Sequence, residues 1–161
     1  MGLDLENLPE KAKEEKASHL TSFKKLKKKK NFDYIVHQEH DQAFEKIDCL
    51  DCGNCCKTTS PIFIVKDIER IAKHLRMKPS AFMEQYLRFD EDNHYVLKEA
   101  PCPFLGEDNY CGIYKVRPRA CSEYPHTNRK KMYQLEELTL NNASICPAVF
   151  NILERLKELA P

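Results

Sequence analysis

Four of the eight cysteines in this chain, Cys49, Cys52, Cys55 and Cys56, crowd into eight consecutive positions. A buried cysteine packs as one small hydrophobe and gains nothing from such crowding, so the density points to sulfur chemistry. The intervening Asp51, Gly53 and Asn54 are turn formers that let the backbone curl until the sulfurs face one centre. The segment has the form of a metal knuckle.

Four single cysteines follow: Cys102, Cys111, Cys121 and Cys146. An even number admits a disulfide framework, which needs an oxidising compartment. The chain opens on Met1, Gly2, Leu3, Asp4, Leu5 and Glu6, without the basic, apolar and small-residue regions of a secretory leader. The expectation is a cytoplasmic protein whose reduced cysteines bind metal.

The pattern does not select the metal. A zinc ribbon completes its tetrahedron with a second Cys-x-x-Cys knuckle, whereas the later cysteines here are single. Three cysteines at this spacing followed by a distant Cys-Pro step also suit an iron–sulfur loop, and Cys102-Pro103 and Cys146-Pro147 both have that form. Thiolates accept both metals, so the expected cofactor is zinc or iron, the iron either alone or in an iron–sulfur cluster. Adjacent side chains diverge on strand and helix alike, so one of Cys55 and Cys56 should serve a second centre or bridge. The eight thiols then make two four-sulfur sites or one polynuclear cluster, whose negative charge asks for nearby cations or backbone donors.

With 161 residues, 42% of them apolar, the chain can bury one core and carry an appendage. Residues 62–65 form the longest strongly apolar run, far too short to span a bilayer. The net charge of +1 hides an asymmetry, since residues 1–31 hold nine lysines against five acids. The only glycines, Gly2, Gly53, Gly106 and Gly112, leave no glycine-rich nucleotide loop. Residues 1–31 read as a basic N-terminal arm, helical or partly disordered, ahead of a cysteine-cluster domain over residues 32–161. A lysine run can meet nucleic acid or an acidic partner. No aromatic interleaving or nucleic-acid motif accompanies this one, so a solvated helix is expected and nucleic acid is disfavoured.

Periodicity supplies the elements around the cysteines. Leu20, Phe23 and Leu26 share one side of a helix that Pro9 could start. Tyr34, Ile35, Phe44 and Ile47 suggest a second, capped by Asp33, on which His37 and His40 fall at a spacing that could hold metal. Residues 61–65 read as a short buried strand. Asp67 should cap a helix carrying Ile68, Ile71, Ala72 and Leu75, and Ser80 another carrying Phe82, Met83, Tyr86 and Leu87. Residues 95–97 look like a strand within a hairpin over 94–114. Pro118 suits the start of a short helix that could aim Arg117 or Arg119 at sulfur. Residues 147–159 form a packing helix directly after Cys146. The fold expectation is a mostly helical α+β domain with a small hairpin, organised around a cysteine-ligated metal centre.

Three motifs in order carry a family resemblance: Cys49-x-x-Cys52-x-x-Cys55-Cys56, then Cys102-Pro103-Phe104-Leu105, then Cys111-x-Ile113-Tyr114-x-x-Arg117-Pro118-x-x-Cys121-x-x-Tyr124-Pro125. Over about residues 49–146 the chain resembles the CxxCxxCC cysteine-cluster family of YkgJ type. Ser122 departs from it, standing where many members carry arginine. The resemblance implies zinc or iron chelation and kinship with a domain of flagellin lysine N-methylases, but supplies no reaction. It is compatible with a metal-binding protein that meets a protein partner. Other readings are a metal-dependent enzyme, either a redox protein or a lysine methyltransferase with Tyr114, Glu123 and Tyr124 near its site, and metal delivery or storage. Oligomeric state is left open.

Overall fold

The computed structural model describes residues 4–161; the first three residues of the basic segment lie outside the described residues. In chain order the helices are α1 (Leu8–Leu26), α2 (Phe32–Lys46), α3 (Cys49–Cys52), α4 (Asn54–Thr58), α5 (Val65–His74), α6 (Pro79–Tyr86), α7 (Arg119–Glu123), α8 (Glu136–Asn142) and α9 (Pro147–Leu159). Two strands, β1 (Leu87–Phe89) and β2 (Tyr95–Leu97), pair antiparallel. The architecture is the mostly helical α+β expected. Two compact units divide it, residues 1–54 with 125–161, and residues 55–124. The boundary cuts the cysteine stretch after Asn54. Among the described residues, no helix is long and apolar enough to cross a membrane.

The first unit is built from α1, α2 and α9. Pro9 sits in the first turn of α1, where its missing N–H has no partner to lose. Glu10 in that turn and Lys24 and Lys25 in the last complement the helix dipole. Leu8, Ala12, Phe23 and Leu26 are buried, so the lysine-rich segment contributes a face to the core instead of standing off as a solvated arm. The lysine density masks this apolar face in the sequence. Phe23 meets Phe32 of α2 edge to face, with ring centroids 5.0 Å apart. Val149, Ile152, Leu153 and Leu156 of α9 complete the same core. Buried His19 lies 2.7 Å from Glu154, and Lys157 bridges Glu15 and Glu154.

Two features of α2 differ from the reading of its sequence. Asn31, not Asp33, precedes its first turn. The Asp33 carboxylate instead accepts the amides of Lys131 and Met132, each at 2.8 Å, and so pins a left-handed turn at Lys131 (φ 57°). Tyr34 is exposed, while Phe32, Val36 and Ala43 are buried.

His37 Nε2 lies 2.7 Å from the carbonyl of Arg129, and His40 Nδ1 lies 2.6 Å from the buried hydroxyl of Thr127. Partial burial holds His40 below the ordinary value of 6.5, against the opposing pull of Asp41. Unfolding exposes a histidine that takes a proton more readily. The stability His40 allows at neutral pH should therefore be lost as pH falls through 6.5 into the range where only the unfolded chain protonates. Melting temperatures across this window should fall less steeply in His40→Asn than in the parent chain.

The second unit packs α5 and α6 against the hairpin. Ile64 holds the cap position of α5, and Asp67 accepts its amide at 3.0 Å. Asp67 thus acts from inside the first turn, as the reciprocal half of a capping box, not as the cap itself. Lys78 precedes α6, with Pro79 at its start, so Ser80 is not the cap. Within residues 61–65 only Phe63 is buried, and it forms a single bridge to Tyr95; Ile62, Ile64 and Val65 are exposed because Val65 already opens α5.

The hairpin lies earlier than residues 94–114, with Leu87 opposite Leu97 and Phe89 opposite Tyr95. The apolar stripe from Phe82 to Leu87 conceals in sequence the change from helix to strand at Leu87. Asp90 closes the hairpin by accepting the amides of Asp92 and His94, each at 2.9 Å. A separate turn joins Leu105 to Cys111 in one bridge. Phe82 is fully buried, with Phe63, Tyr86 and Phe104 ring centroids at 6.1, 5.2 and 6.2 Å.

Candidate metal centre

No disulfide joins any of the eight cysteines, and they are divided between the two units. In the second unit, Cys56 sits on α4 and Cys121 on α7, while Cys102 and Cys111 flank the 105–111 turn. The amide of Cys102 donates to the carbonyl of Cys56 at 2.8 Å, tying two ligand-bearing segments together. The amide of Gly112 donates to the carbonyl of Phe104 at 2.7 Å and closes the loop that carries Cys111.

Burial pushes the Cys121 thiol up to about 12, and the charges that Cys56, Cys102 and Cys111 would carry push in the same direction. Burial likewise raises Cys102 and Cys111, with Cys56 adding to both. These four thiols therefore share one neighbourhood and resist ionising together. Compensating donors are present. The amides of Phe104 and Leu105 donate to the Cys102 sulfur, that of Ile113 to the Cys111 sulfur, and Arg117 favours the thiolates of both Cys111 and Cys121. Arg117 is the cation that the short-helix reading offered, whereas Arg119 is committed to Glu123 at 2.8 Å.

In the first unit, Cys49 and Cys52 bracket α3, and Cys146 occupies the cap position of α9. Asp48 accepts the amide of Leu50 at 2.9 Å to start α3. Gly53 ends it at φ 56°, a conformation open to glycine at little cost, with its amide donating to Cys49 at 2.8 Å. Asn54 reaches the carbonyl of Ile145, next to Cys146, at 2.7 Å. Burial raises Cys146 to about 11, the Cys49 and Cys52 thiols add to this, and the amides of Ala148 and Val149 oppose it. The sulfur thus faces the first turn of a rigid helix, where backbone N–H groups favour negative charge. Cys52 is buried and Cys49 exposed.

Cys55 hydrogen-bonds the Cys56 thiol and draws it down to about 7. His37 and His40 are occupied by Arg129 and Thr127 and join neither set. Among the described residues, Glu15, His19 and Glu154, and Asp90, Asp92 and His94, are trios whose potential ligand atoms lie within 4.8 Å of one another. Asp67 and Asn54, which brace segments next to the cysteines, gave no signal in sequence beyond their capping and turn propensities.

Residues 48–147 match the family described as "Putative zinc- or iron-chelating domain". The chain belongs to the CxxCxxCC family. Chelation of zinc or iron is the chemistry for which this CxxCxxCC domain is described, and thiolates accept either ion. An uncharacterized protein of Methanocaldococcus jannaschii is 35% identical over 82 residues, 49% of this chain and 44% of that protein. The matched region therefore spans less than half the length of that relative. No solved structure matches the chain.

Proposed function

We propose that the chain chelates zinc or iron at one thiolate site in each unit, and that the metal organises the fold around it. Cys56, Cys102, Cys111 and Cys121 are the ligands of the second unit's site. Cys49, Cys52 and Cys146 are the thiolates of the first unit's site, and Cys55 is the eighth candidate ligand. One observation carries this reading: within one compact unit the Cys102 amide donates to the Cys56 carbonyl at 2.8 Å, and Cys102 and Cys111 pack against the same core, so thiols far apart in sequence come to one neighbourhood. A bound cation supplies the positive charge that lets such thiols ionise together. The chain's own part is to present the sulfurs and donate amides to them, with the Arg117 charge favouring the thiolates of Cys111 and Cys121.

Metal and acid-labile sulfide, measured on protein purified without oxygen, test this reading. About two ions per chain without sulfide would match two closed sites. Iron with stoichiometric sulfide would assign a cluster to the same thiols. Neither metal above trace would overturn the proposal. The exposure of Cys49 also favours an exchange role for the first unit's site, in delivery or storage. In that case a mild chelator should withdraw its ion while circular dichroism stays unchanged.

A further inference from the structure

We propose that the second unit carries a binding groove for a small molecule with two phosphate groups, a function separate from metal chelation. A cavity of about 400 Å³ is walled by five cations, Lys66, Arg70, Lys115, Arg117 and Arg119, with Asp67 as its only acid. The excess is local, because residues 55–124 as a whole hold eleven Lys and Arg against ten Asp and Glu.

The buried acid does not cancel the cations facing the groove. Asp67 is 1% exposed and accepts from Ile64 N at 3.0 Å, Arg119 N at 3.2 Å and Arg70 at 2.7 Å. Its charge is spent fixing the groove's own walls. Arg119 is paired with Glu123. Among the described residues, Lys66 and Lys115 make no ion pair, and Arg117 has no carboxylate partner. Three cations are thus left facing one cavity, where a single sign of charge focuses the field on an incoming anion.

Both inner arginines are held in place before any ligand arrives. Arg70 donates to the carbonyls of Arg117 at 2.8 Å and Val116 at 3.3 Å. Arg117 donates to the carbonyl of Tyr114 at 2.8 Å and lies over the Tyr114 ring, 4.1 Å from its centroid. Arg117, fixed in this way, loses little freedom on meeting an oxyanion, and its planar fork suits phosphate oxygens; Arg70, whose three nitrogens already donate to protein oxygens, braces the wall. Lys66 and Arg70 come from α5, while Lys115 and Arg117 come from the segment before α7. A groove with cations on two walls, within the usual volume of small-molecule sites, fits two phosphates better than one.

Calorimetric titration of the full-length, metal-loaded protein tests this. The probes are a hexose bisphosphate, a hexose monophosphate and a dicarboxylate of similar span. Sugar phosphates chelate metal weakly, and metal content is checked after each titration. The bisphosphate should bind at least about tenfold more tightly than the monophosphate, as expected for a second charge-assisted contact. Lys66→Gln with Lys115→Gln should weaken the bisphosphate by about tenfold or more. Lys73→Gln with Lys78→Gln, which removes equal charge elsewhere in the unit, should change it less than about twofold. All four lysines are exposed, and unchanged melting temperatures would show that each pair leaves the fold intact. Equal affinity for mono- and bisphosphate, or equal losses in the two double variants, would overturn the proposal. Equal affinity for the dicarboxylate would overturn the phosphate assignment. Binding of polyglutamate without the bisphosphate would overturn it in favour of an acidic protein partner.

Discussion

Cys121→Ser is expected to cost the protein one equivalent of metal and the cooperative melting of residues 55–124. Cys121 has the thiol most strongly pushed up in its set, first by burial and then by Cys56, Cys102 and Cys111. Among the proposed ligands, that makes it the one whose ionisation depends most on a cation. Serine keeps the shape of the side chain, but its hydroxyl does not ionise at neutral pH, so the ion would be left with three thiolates. Structural zinc contributes roughly 10–16 kcal/mol to the folding of small thiolate domains. The unit has one modest aromatic core around Phe82 and little else of comparable size. Losing a quarter of the sulfur ligands should therefore remove more stability than this core can replace. The readouts are metal per chain, the change in circular dichroism on heating, and proteolysis within residues 55–124. Ser122→Ala is the control, since the Ser122 hydroxyl donates to the carbonyl of Arg119 at 2.8 Å, inside α7. A Cys121→Ser protein that keeps its full metal content and its melting transition would remove Cys121 from the site.

The parts of this architecture legible in the sequence are those that periodicity controls. The stripe through Val149, Ile152, Leu153 and Leu156, opened by Pro147, could only be a helix packed on one face, and α9 has those bounds. The strand at residues 95–97 was legible for the same reason. Interactions between distant segments were not. Spacing says nothing about which cysteines face one another, because that depends on contacts such as the Cys102 amide on the Cys56 carbonyl. Asp33 and Asp67 look alike in sequence, each an acid at a helix start. Tertiary contact gives them different work: Asp33 holds the turn at Lys131, and Asp67 ties the start of α5 to Arg70 and Arg119. The lysines of α1 misled for a related reason, since they occupy the side that does not pack.

Phe82→Ala should lower the metal affinity of the second unit although residue 82 is not itself one of the proposed ligands. The Phe82 side chain is fully buried, and its ring stacks on Phe104 at an interplanar angle of 16°. Phe104 lies two residues from Cys102, its amide donates to the Cys102 sulfur, and its carbonyl accepts from Gly112, next to Cys111. Truncating a buried phenylalanine to alanine costs about 3–5 kcal/mol through lost burial and the cavity left behind. If the site exists only in the folded unit, folding and binding draw on one free energy. The loss then appears as a fall in apparent affinity of roughly a hundred- to several-thousand-fold, at about 1.4 kcal/mol per factor of ten. Competition against a chromophoric chelator of known affinity measures this directly. Ile152→Val in the first unit should lower that unit's stability by about 0.5–1.5 kcal/mol and leave the second unit's affinity unchanged. A Phe82→Ala protein with a lower melting temperature but undiminished affinity would mean that the second unit folds without its ion. The metal would then be cargo on a finished scaffold, and the organising role proposed for it would fall.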